Sequence, residues 1–482
     1  MVAGVSSTSG PPASPVSPNG AFWLEDTADD MTPRAPLEGP RTTDVAIVGA
    51  GFTGLWAARE LLRRDPSLDV LVIEARTAGF GASGRNGAWL APGIAVTNRE
   101  LVRRSSPEVA RATVQAIRDT VRVVAESCAQ DGIDAQVRMG GTLRVAIGAQ
   151  EASMPAATLA AARELGVEDD LEVLDADQLA ERVRIADARG ALRDRNGAAV
   201  HPGRLVRGLA RTVERLGGSI VEDTRVTDVT PGARGGAARG AVGPTVHTER
   251  GDVRARHVVL ANEAWLSQLP GHRRRVMPLY SLIILTDPID DATWCSIGWD
   301  GHELLSSHRL TVDYLSRTAD GRILFGGRGA PYHFGSSIEP AHDLHAPTHE
   351  RLRRHLVEWF PQLEEVRISH AWGGPLGMPR DWMPNVFLDP TTGIGGAYGY
   401  TGQGVAATNL AGRILADLIV TGDTPHRDLP FVGHRSRRWE PEPLRWLATR
   451  YLQTALARLD ARAERTGRPH TGRTLAERLM TH

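Results

Sequence analysis

The chain contains no lysine, and each of its 56 basic residues is an arginine. Without lysine there is no lysine Schiff base, which excludes pyridoxal phosphate chemistry on this chain. Cysteine is almost as scarce. Cys128 and Cys295 are too few and too far apart for a disulfide scaffold, and neither has the spacing of a metal site. A reducing compartment is expected. A charge imbalance is also missing: the formal net charge is −1, so there is no electrostatic case for nucleic acid. No run approaches the roughly 20 apolar residues of a membrane helix. The first twenty residues are rich in Ser, Pro and Gly and lack both a basic start and an apolar core. They read as a disordered tail rather than a signal peptide, and a soluble cytoplasmic protein is expected. With 482 residues the chain exceeds one simple core, so two interleaved domains are expected.

What is present begins at Asp44. The apolar run Val45–Val48 has the length and β-branched content of a buried parallel strand. It feeds into Gly49, Gly51 and Gly54. The first glycine allows a tight turn, the second lets backbone approach a pyrophosphate, and the third lets the next helix pack close to the strand. That helix, expected over Leu55–Arg64, aims its free N–H groups and positive dipole end at phosphates. A second apolar strand, Val70–Ile73, ends in Glu74, twenty residues after Gly54. A carboxylate there can accept from both hydroxyls of an adenosine ribose and would repel a 2′-phosphate, which disfavours NADP. The pattern predicts a dinucleotide site and leaves FAD and NAD undivided.

Arg76–Gly87, RTAGFGASGRNG, divides them, because it resembles the segment after the second strand in the D-amino-acid-oxidase-like superfamily of FAD-dependent oxidoreductases. GYTGQGVAATNLAGRILAD from Gly399 resembles that superfamily's closing element, a glycine turn opening a helix beneath the flavin ring. HPGRLVRGLA at 201–210, VVLAN at 258–262 and DGRILFGGRG at 320–329 fall between them in the family's order. The resemblance covers roughly residues 42–425. Its GASGRNG and the Phe22–Leu24 segment FWL are similar to those of the γ-glutamylputrescine oxidoreductase-like amine oxidases.

The resemblance implies an α/β fold: a discontinuous Rossmann-like FAD-binding domain over 42–100, 196–265 and 371–425, with an α+β substrate domain built on an antiparallel sheet over 101–195 and 266–370. Residues 1–41 would be the tail and a lead-in segment. For cofactor contacts it implies Gly49, Gly51, Phe52, Thr53 and Gly54 at the phosphates, with Glu74, Ala75 and Arg76 at the ribose. Gly81, Ala82, Ser83, Arg85, Asn86 and Gly87 would follow the dinucleotide toward the flavin, with the backbone of 85–87 at the N5 edge. The backbone at Val226 would meet the adenine, and Ala261 would end the strand of VVLAN. The closing turn Gly399, Tyr400, Thr401, Gly402, Gln403, Gly404 and Val405 would face the N1 and C2 carbonyl region, where reduction leaves negative charge. Members with covalent flavin use a cysteine near the closing motif or a histidine near the GASG segment. AWGGPLG at 371–377 and GRNGA at 84–88 contain neither, so FAD is expected without a covalent link. The missing lysine also removes the one that some oxidases of the superfamily use to activate oxygen.

On the substrate side the chain departs from the family. Members acting on α-amino acids resemble one another in a W-x-G-L-R-P-like stretch whose arginine clamps the substrate carboxylate. Trp372, Gly374 and Pro375 match approximately, but Leu376 stands where that arginine would be. A small amine is therefore favoured over an α-amino acid, with γ-glutamylputrescine-like amines leading. Its C–N bond would be oxidised to an imine that hydrolyses to an aldehyde, and oxygen or a quinone or carrier would accept the electrons. A flavin dehydrogenase or oxidase of a D-amino acid or 2-hydroxy acid is the alternative, and a non-catalytic flavin-fold binding module is the non-enzyme rival. Four residues are candidates beside the substrate. Tyr314 resembles a tyrosine that faces substrate in relatives and equally suits core packing. His333 follows a strand end and equally suits a structural loop. Trp372 offers either an apolar wall or packing, and Arg380 offers a displaced acid clamp. His201 reads as structural.

In the rest of the chain, PGARGGAARGAVGP at 231–244 reads as an exposed loop of low complexity, short β-rich pieces fill 266–370, and a helix is expected at about 347–359. Residues 426–482 read as a basic amphipathic helical extension with Leu444, Leu447, Tyr451, Leu452, Leu456 and Leu459 on one face. That face is expected to dock on its own domain, or else to serve a homo-oligomer.

Overall fold

The computed structural model describes residues 21–27, 29–232, 243–328 and 332–480. The tail at 1–20 and the loop residues 233–242 lie outside the described residues. In chain order, the elements that position the site are strand β1 (Arg41–Val48), helix α1 (Phe52–Arg64), strand β2 (Val70–Ile73), helix α2 (Pro202–Arg215) and strand β3 (Gly251–Leu260). Strands β4 (Met277–Thr286), β5 (Asp313–Arg317), β6 (Ile323–Arg328), β7 (Ile368–Met378) and β8 (Ile394–Tyr398) follow, then helices α3 (Gly404–Val420) and α4 (Leu444–Thr466).

One sheet has β1 at its centre, paired in parallel with β2 on one side and β3 on the other. Strand 219–221 extends it in parallel beyond β2, and β8 beyond β3. Its central residues, Val45, Ile47, Val70 and Val72, are completely buried. That is the continuous apolar pattern of a sheet covered on both faces, and it explains why β1 and β2 are legible as uninterrupted runs. Helices α1 and α3 lie against each other on one face, so close that a Cβ at Gly412 would come within 2.8 Å of the Ala57 backbone. The residues from Phe52, three before the expected start at Leu55, already belong to α1.

The second sheet runs β7-β4-β6-β5, then 304–307, 142–147, 188–194 and 171–174. It is antiparallel throughout except where 304–307 pairs in parallel with 142–147. The expected boundary at 371 falls inside β7, which pairs along its whole length with β4 in this second sheet. A glycine-rich apolar stretch reads alike as a strand of either sheet, and only the pairing partner separates them. The helix expected at about 347–359 is Ala346–Trp359, packed on the far face of this sheet.

The C-terminal extension docks on a face that shares only part of the expected stripe, Leu456 being buried and Leu452 and Leu459 half-buried. Arg445, Thr449, Leu456, Asp460 and Ala463 of α4 face the body, while Leu444, Leu447 and Tyr451 remain 58%, 53% and 48% exposed. The receiving surface combines an apolar cluster of Met277, Tyr332 and Met378, against which Trp446 packs, with polar groups. Asp460 accepts from the N–H groups of Leu310 and Thr311, and Thr449 donates to the Met277 sulfur. Apolar periodicity alone cannot register such groups. Among the described residues, no helix is long and apolar enough to cross a membrane.

Candidate active site

The glycine turn after β1 closes as its spacing predicts. Gly49 N–H donates to Ile73 O at 2.8 Å, and Gly49 has φ 108°, a conformation that side chains rarely adopt. A Cβ on Gly54 would collide with Gly49 O, so α1 can follow the turn this tightly only with glycine there. The segment 79–87 folds back over the turn. Ser83 Oγ accepts from Phe52 N–H at 2.8 Å and faces Gly51, where a Cβ would come within 3.0 Å of it. Thr53 and Gly54, next in the first turn of α1, have no intrahelical acceptor for their N–H groups. This is a cradle made for an anion, and it fits a pyrophosphate.

Glu74 stands at the end of β2, where its carboxylate accepts from Ala50 N–H at 2.9 Å and from Arg76 N–H at 3.0 Å. Burial pushes this carboxyl up from its ordinary value, against those two donors. Ala75 lies in the turn that follows, and the Arg76 guanidinium lies over Phe80. Thr224 N–H donates to Glu74 O two residues ahead of Val226, which opens the strand 226–230. Ala261 N–H donates to Val48 O as β3 leaves the sheet.

Residues 82–84 form a single 3-10 turn, with Gly81 against the Trp265 ring. Asn86 fastens that turn to itself: its side chain donates to Ser83 O and Ala82 O and accepts from Ala88 N–H. The Arg85 guanidinium is not aimed at a ligand. It is buried, paired with Asp343, donates to Phe80 O at 2.8 Å and Gly373 O at 3.2 Å, and lies over the Phe80 ring. What Arg85, Asn86 and Gly87 can offer a flavin is therefore backbone. The lead-in helix Phe22–Glu25 locks the same loop from outside, with Trp23 Nε1 donating to Asn86 O at 2.8 Å.

The closing turn between β8 and α3 carries positive φ at Gly399 (86°), Thr401 (56°) and Gly402 (87°). Tyr400 bridges back to the phosphate turn, its hydroxyl 3.0 Å from Thr53 Oγ1. Gln403 N–H donates to Tyr400 O at 2.9 Å, and the Gln403 side chain faces Gly93. Gly404 and Val405 open α3, whose N-terminal dipole points into the same space.

Of the four substrate-side candidates, the structure brings one against the flavin loop at a surface that is not sealed. Tyr314 on β5 is half-buried, and a Cβ on Gly87 would collide with its ring. Its hydroxyl is 2.9 Å from Ser281 Oγ on β4. Trp372 also meets the loop, with Nε1 donating to Arg85 O at 2.9 Å, but it is completely buried among Ile283, Leu285, Leu324 and Ala88. Of its two readings, packing is the one the structure shows. Arg380 lies just past β7 and is engaged by Glu440 of the C-terminal extension, at 3.1 and 3.2 Å, and by the Trp439 ring. The acid clamp expected of Arg380 is therefore not presented as a free guanidinium, since a carboxylate of the chain itself engages it. His333 stacks on His342 with centroids 3.3 Å apart, edge-on to Tyr280. Tyr280 belongs to the far face of the sheet, so His333 is not brought to Tyr314. Burial, and then His342, hold its imidazole down at about 4. His201 caps α2, accepting from Arg204 N–H at 3.1 Å, in keeping with a structural histidine.

Glu263 is a residue that motif reading passed over. It opens the short 3-10 helix that follows β3, and its carboxylate accepts from Gly377 N–H of β7 at 2.8 Å and from Gly399 and Tyr400 N–H at 3.1 Å each. Its signal in the sequence was an acid placed immediately after the apolar strand end VVLAN.

Known proteins share this chain's sequence and fold. The chain is 31% identical over 427 residues to γ-glutamylputrescine oxidoreductase of Escherichia coli K12, with 86% of this chain and 93% of that protein covered. It is also 31% identical to a probable oxidoreductase, OrdL, of Rhizobium meliloti, over 85% of this chain and 90% of the relative. Among solved structures, glycine oxidase of Geobacillus kaustophilus superimposes with a TM-score of 0.69 at 22% identity, covering 82% of this chain and all of that one. L-Proline dehydrogenase of P. horikoshii does so with 0.65 at 20%, covering 81% of this chain and 98% of that one. Residues 44–418, from within β1 to the closing helix, match the family described as FAD dependent oxidoreductase, and the chain belongs to that family.

Proposed function

We propose that this FAD-dependent oxidoreductase oxidises the C–N bond of a small amine, of which γ-glutamylputrescine is the model, to an imine that water converts to an aldehyde and a free amine. When bound, FAD supplies a two-electron acceptor for the hydride equivalent held in the reacting C–H bond. As that bond breaks, the nitrogen lone pair forms the C=N bond. The nitrogen then releases a proton, and water adds to the carbon and displaces the amine. The lone pair must be free, so the substrate has to be held as the neutral amine.

The observation that carries this reading is the uncharged character of the wall that meets the flavin loop. Tyr314 and Ser281 present a pair of hydroxyls there. Alternation along β7 puts Leu376 on the same face as Trp372 and Gly374, so an apolar side chain stands where an acid clamp would be. Arg380, the displaced alternative, is held by Glu440. An uncharged wall of this kind suits an amine whose reacting carbon bears no carboxylate, and the relative in Escherichia coli is named for such a substrate.

The test is anaerobic bleaching of the flavin absorbance by three panels: polyamine-derived amines, α-amino acids and 2-hydroxy acids. Bleaching by the amines with little by the other two is expected. Bleaching confined to either acid panel would overturn the amine reading and leave the flavoenzyme intact.

A further inference from the structure

We propose that Glu263 is a positioning residue of the flavin site: its carboxyl ties the closing turn to the end of β7 and sets a titratable charge beside the flavin, which the flavin's spectrum and redox potential report. The inference rests on FAD occupying the site and is independent of the amine reading.

The geometry is specific. One carboxyl group collects three backbone N–H donors from two separate segments, Oε2 from Gly377 and Oε1 from Gly399 and Tyr400. Room for it exists because residue 377 is glycine, where a Cβ would collide with Oε2. Glu263 adopts φ 42°, unfavourable for a side chain with a Cβ, so the surrounding contacts hold it there. Tyr400, whose N–H it receives, continues the connection to Thr53 in the first turn of α1. The carboxyl thus joins the substrate sheet, the closing turn and, through Tyr400, the phosphate helix.

Its charge is set by opposing influences. Burial pushes the carboxyl up to about 7, while the N–H donors of Tyr400, Gly399 and Gly377 pull the other way. The closing turn faces it with Tyr400, whose phenol burial and this same carboxyl hold in its neutral form. β7 faces it with the Gly377 backbone, and its own turn through Gln268 contributes no further charged side chain. Near neutral pH the group is therefore poised to change charge close to the turn that must accommodate negative charge on the reduced ring. The ionised form opposes that charge and the neutral form does not, so the potential is expected to fall as Glu263 ionises.

The experiment uses the purified holoenzyme without substrate, so its failure is separate from a failure of the amine panel. The visible spectrum of the oxidised protein is followed from about pH 5 to about pH 9, on both sides of the raised carboxyl and above the ordinary carboxyl range. A band shift with a midpoint near 7 is expected in the wild type. It should be absent in Glu263→Gln, which keeps the length of the side chain and loses its ionisation. Equilibration with a reference dye should show the wild-type potential falling more steeply across that range than the variant's. A transition that survives in Glu263→Gln overturns the proposal. If that variant retains no flavin, the wild type and Tyr400→Phe decide. A flat wild-type titration, or a transition lost with the phenol although the carboxyl remains, overturns it, and a transition kept in both supports it.

Discussion

The two sheets contribute to the active site with different parts of their chemistry. Around the parallel sheet, the candidate cofactor surface is mostly backbone: the turn at 49–54, the folded-back loop at 81–87 and the closing turn at 399–404, with the Glu74 carboxylate at the end of β2. On the antiparallel sheet, what meets the same space is side chains: the Tyr314 and Ser281 hydroxyls and, by alternation along β7, Leu376. A site made of backbone tolerates almost no added atom, because each approach is already at contact distance. A site made of side chains can exchange them while the sheet beneath stays intact. Cofactor and substrate choice therefore reside in regions with different tolerance to change, which is how one fold carries many chemistries.

The largest effect that would sharpen this contrast is at the seam between the sheets. Trp372→Ala removes a completely buried indole and its hydrogen bond to Arg85 O, at an expected cost of about 3–5 kcal/mol. Thermal melting of the holoenzyme measures it, and an unchanged melting temperature would break the packing assignment. Gly54→Ala is next. Its Cβ cannot avoid Gly49 O, and overpacking of this kind costs about 1–3 kcal/mol. The expected signature is loss of flavin per protein, read from the absorbance ratio, beyond any loss of secondary structure.

A pH dependence sits between the two regions. The Glu263 carboxyl is raised from an ordinary 4.5 to about 7, so the folded state holds its proton more tightly than the unfolded chain. The stabilisation from this group is fully present below about 4.5 and is lost as pH rises through about 7. The melting temperature of the wild type, compared with that of Glu263→Gln, should decline across that window, and parallel curves would exclude the contribution.

On the substrate sheet, Tyr314→Phe removes one hydrogen bond to Ser281 and should change stability by no more than about 1 kcal/mol. If the hydroxyl touches substrate, kcat/KM should fall by about tenfold or more, a loss of roughly 1.4 kcal/mol in transition-state binding. The smallest effect belongs to Arg380→Ala. Its partly exposed pair with Glu440 contributes below about 1 kcal/mol, and KM for the best amine should stay within about twofold. A KM raised tenfold would restore Arg380 as a substrate clamp and break the comparison at its weakest point.

Much of the cofactor half was legible because its constraints are local. Gly49, Gly51 and Gly54 are required by a turn a few residues long, and β1 and β2 announce themselves as apolar runs because both faces of their sheet are covered. Arg85 shows the limit of motif reading. Its place in the GASGRNG segment marks it for the flavin, yet its guanidinium is taken by Asp343, 258 residues away. Arg380 shows the same limit, since Glu440 lies in an extension beyond the family's span. On α4, the apolar stripe marked the docked Leu456 but not Asp460, whose partners are the N–H groups of Leu310 and Thr311 about 150 residues away.

The sequence by itself determined the strand, turn and helix of the dinucleotide motif, the acid at the end of β2 and the family, because short-range sterics permit few residue types at those positions. Only the tertiary structure decided which strand β7 joins, that Trp372 is packing, that Arg380 is already paired, and that Glu263 receives the closing turn. Each of those depends on a partner far along the chain, and no local spacing encodes which distant group a buried side chain will meet.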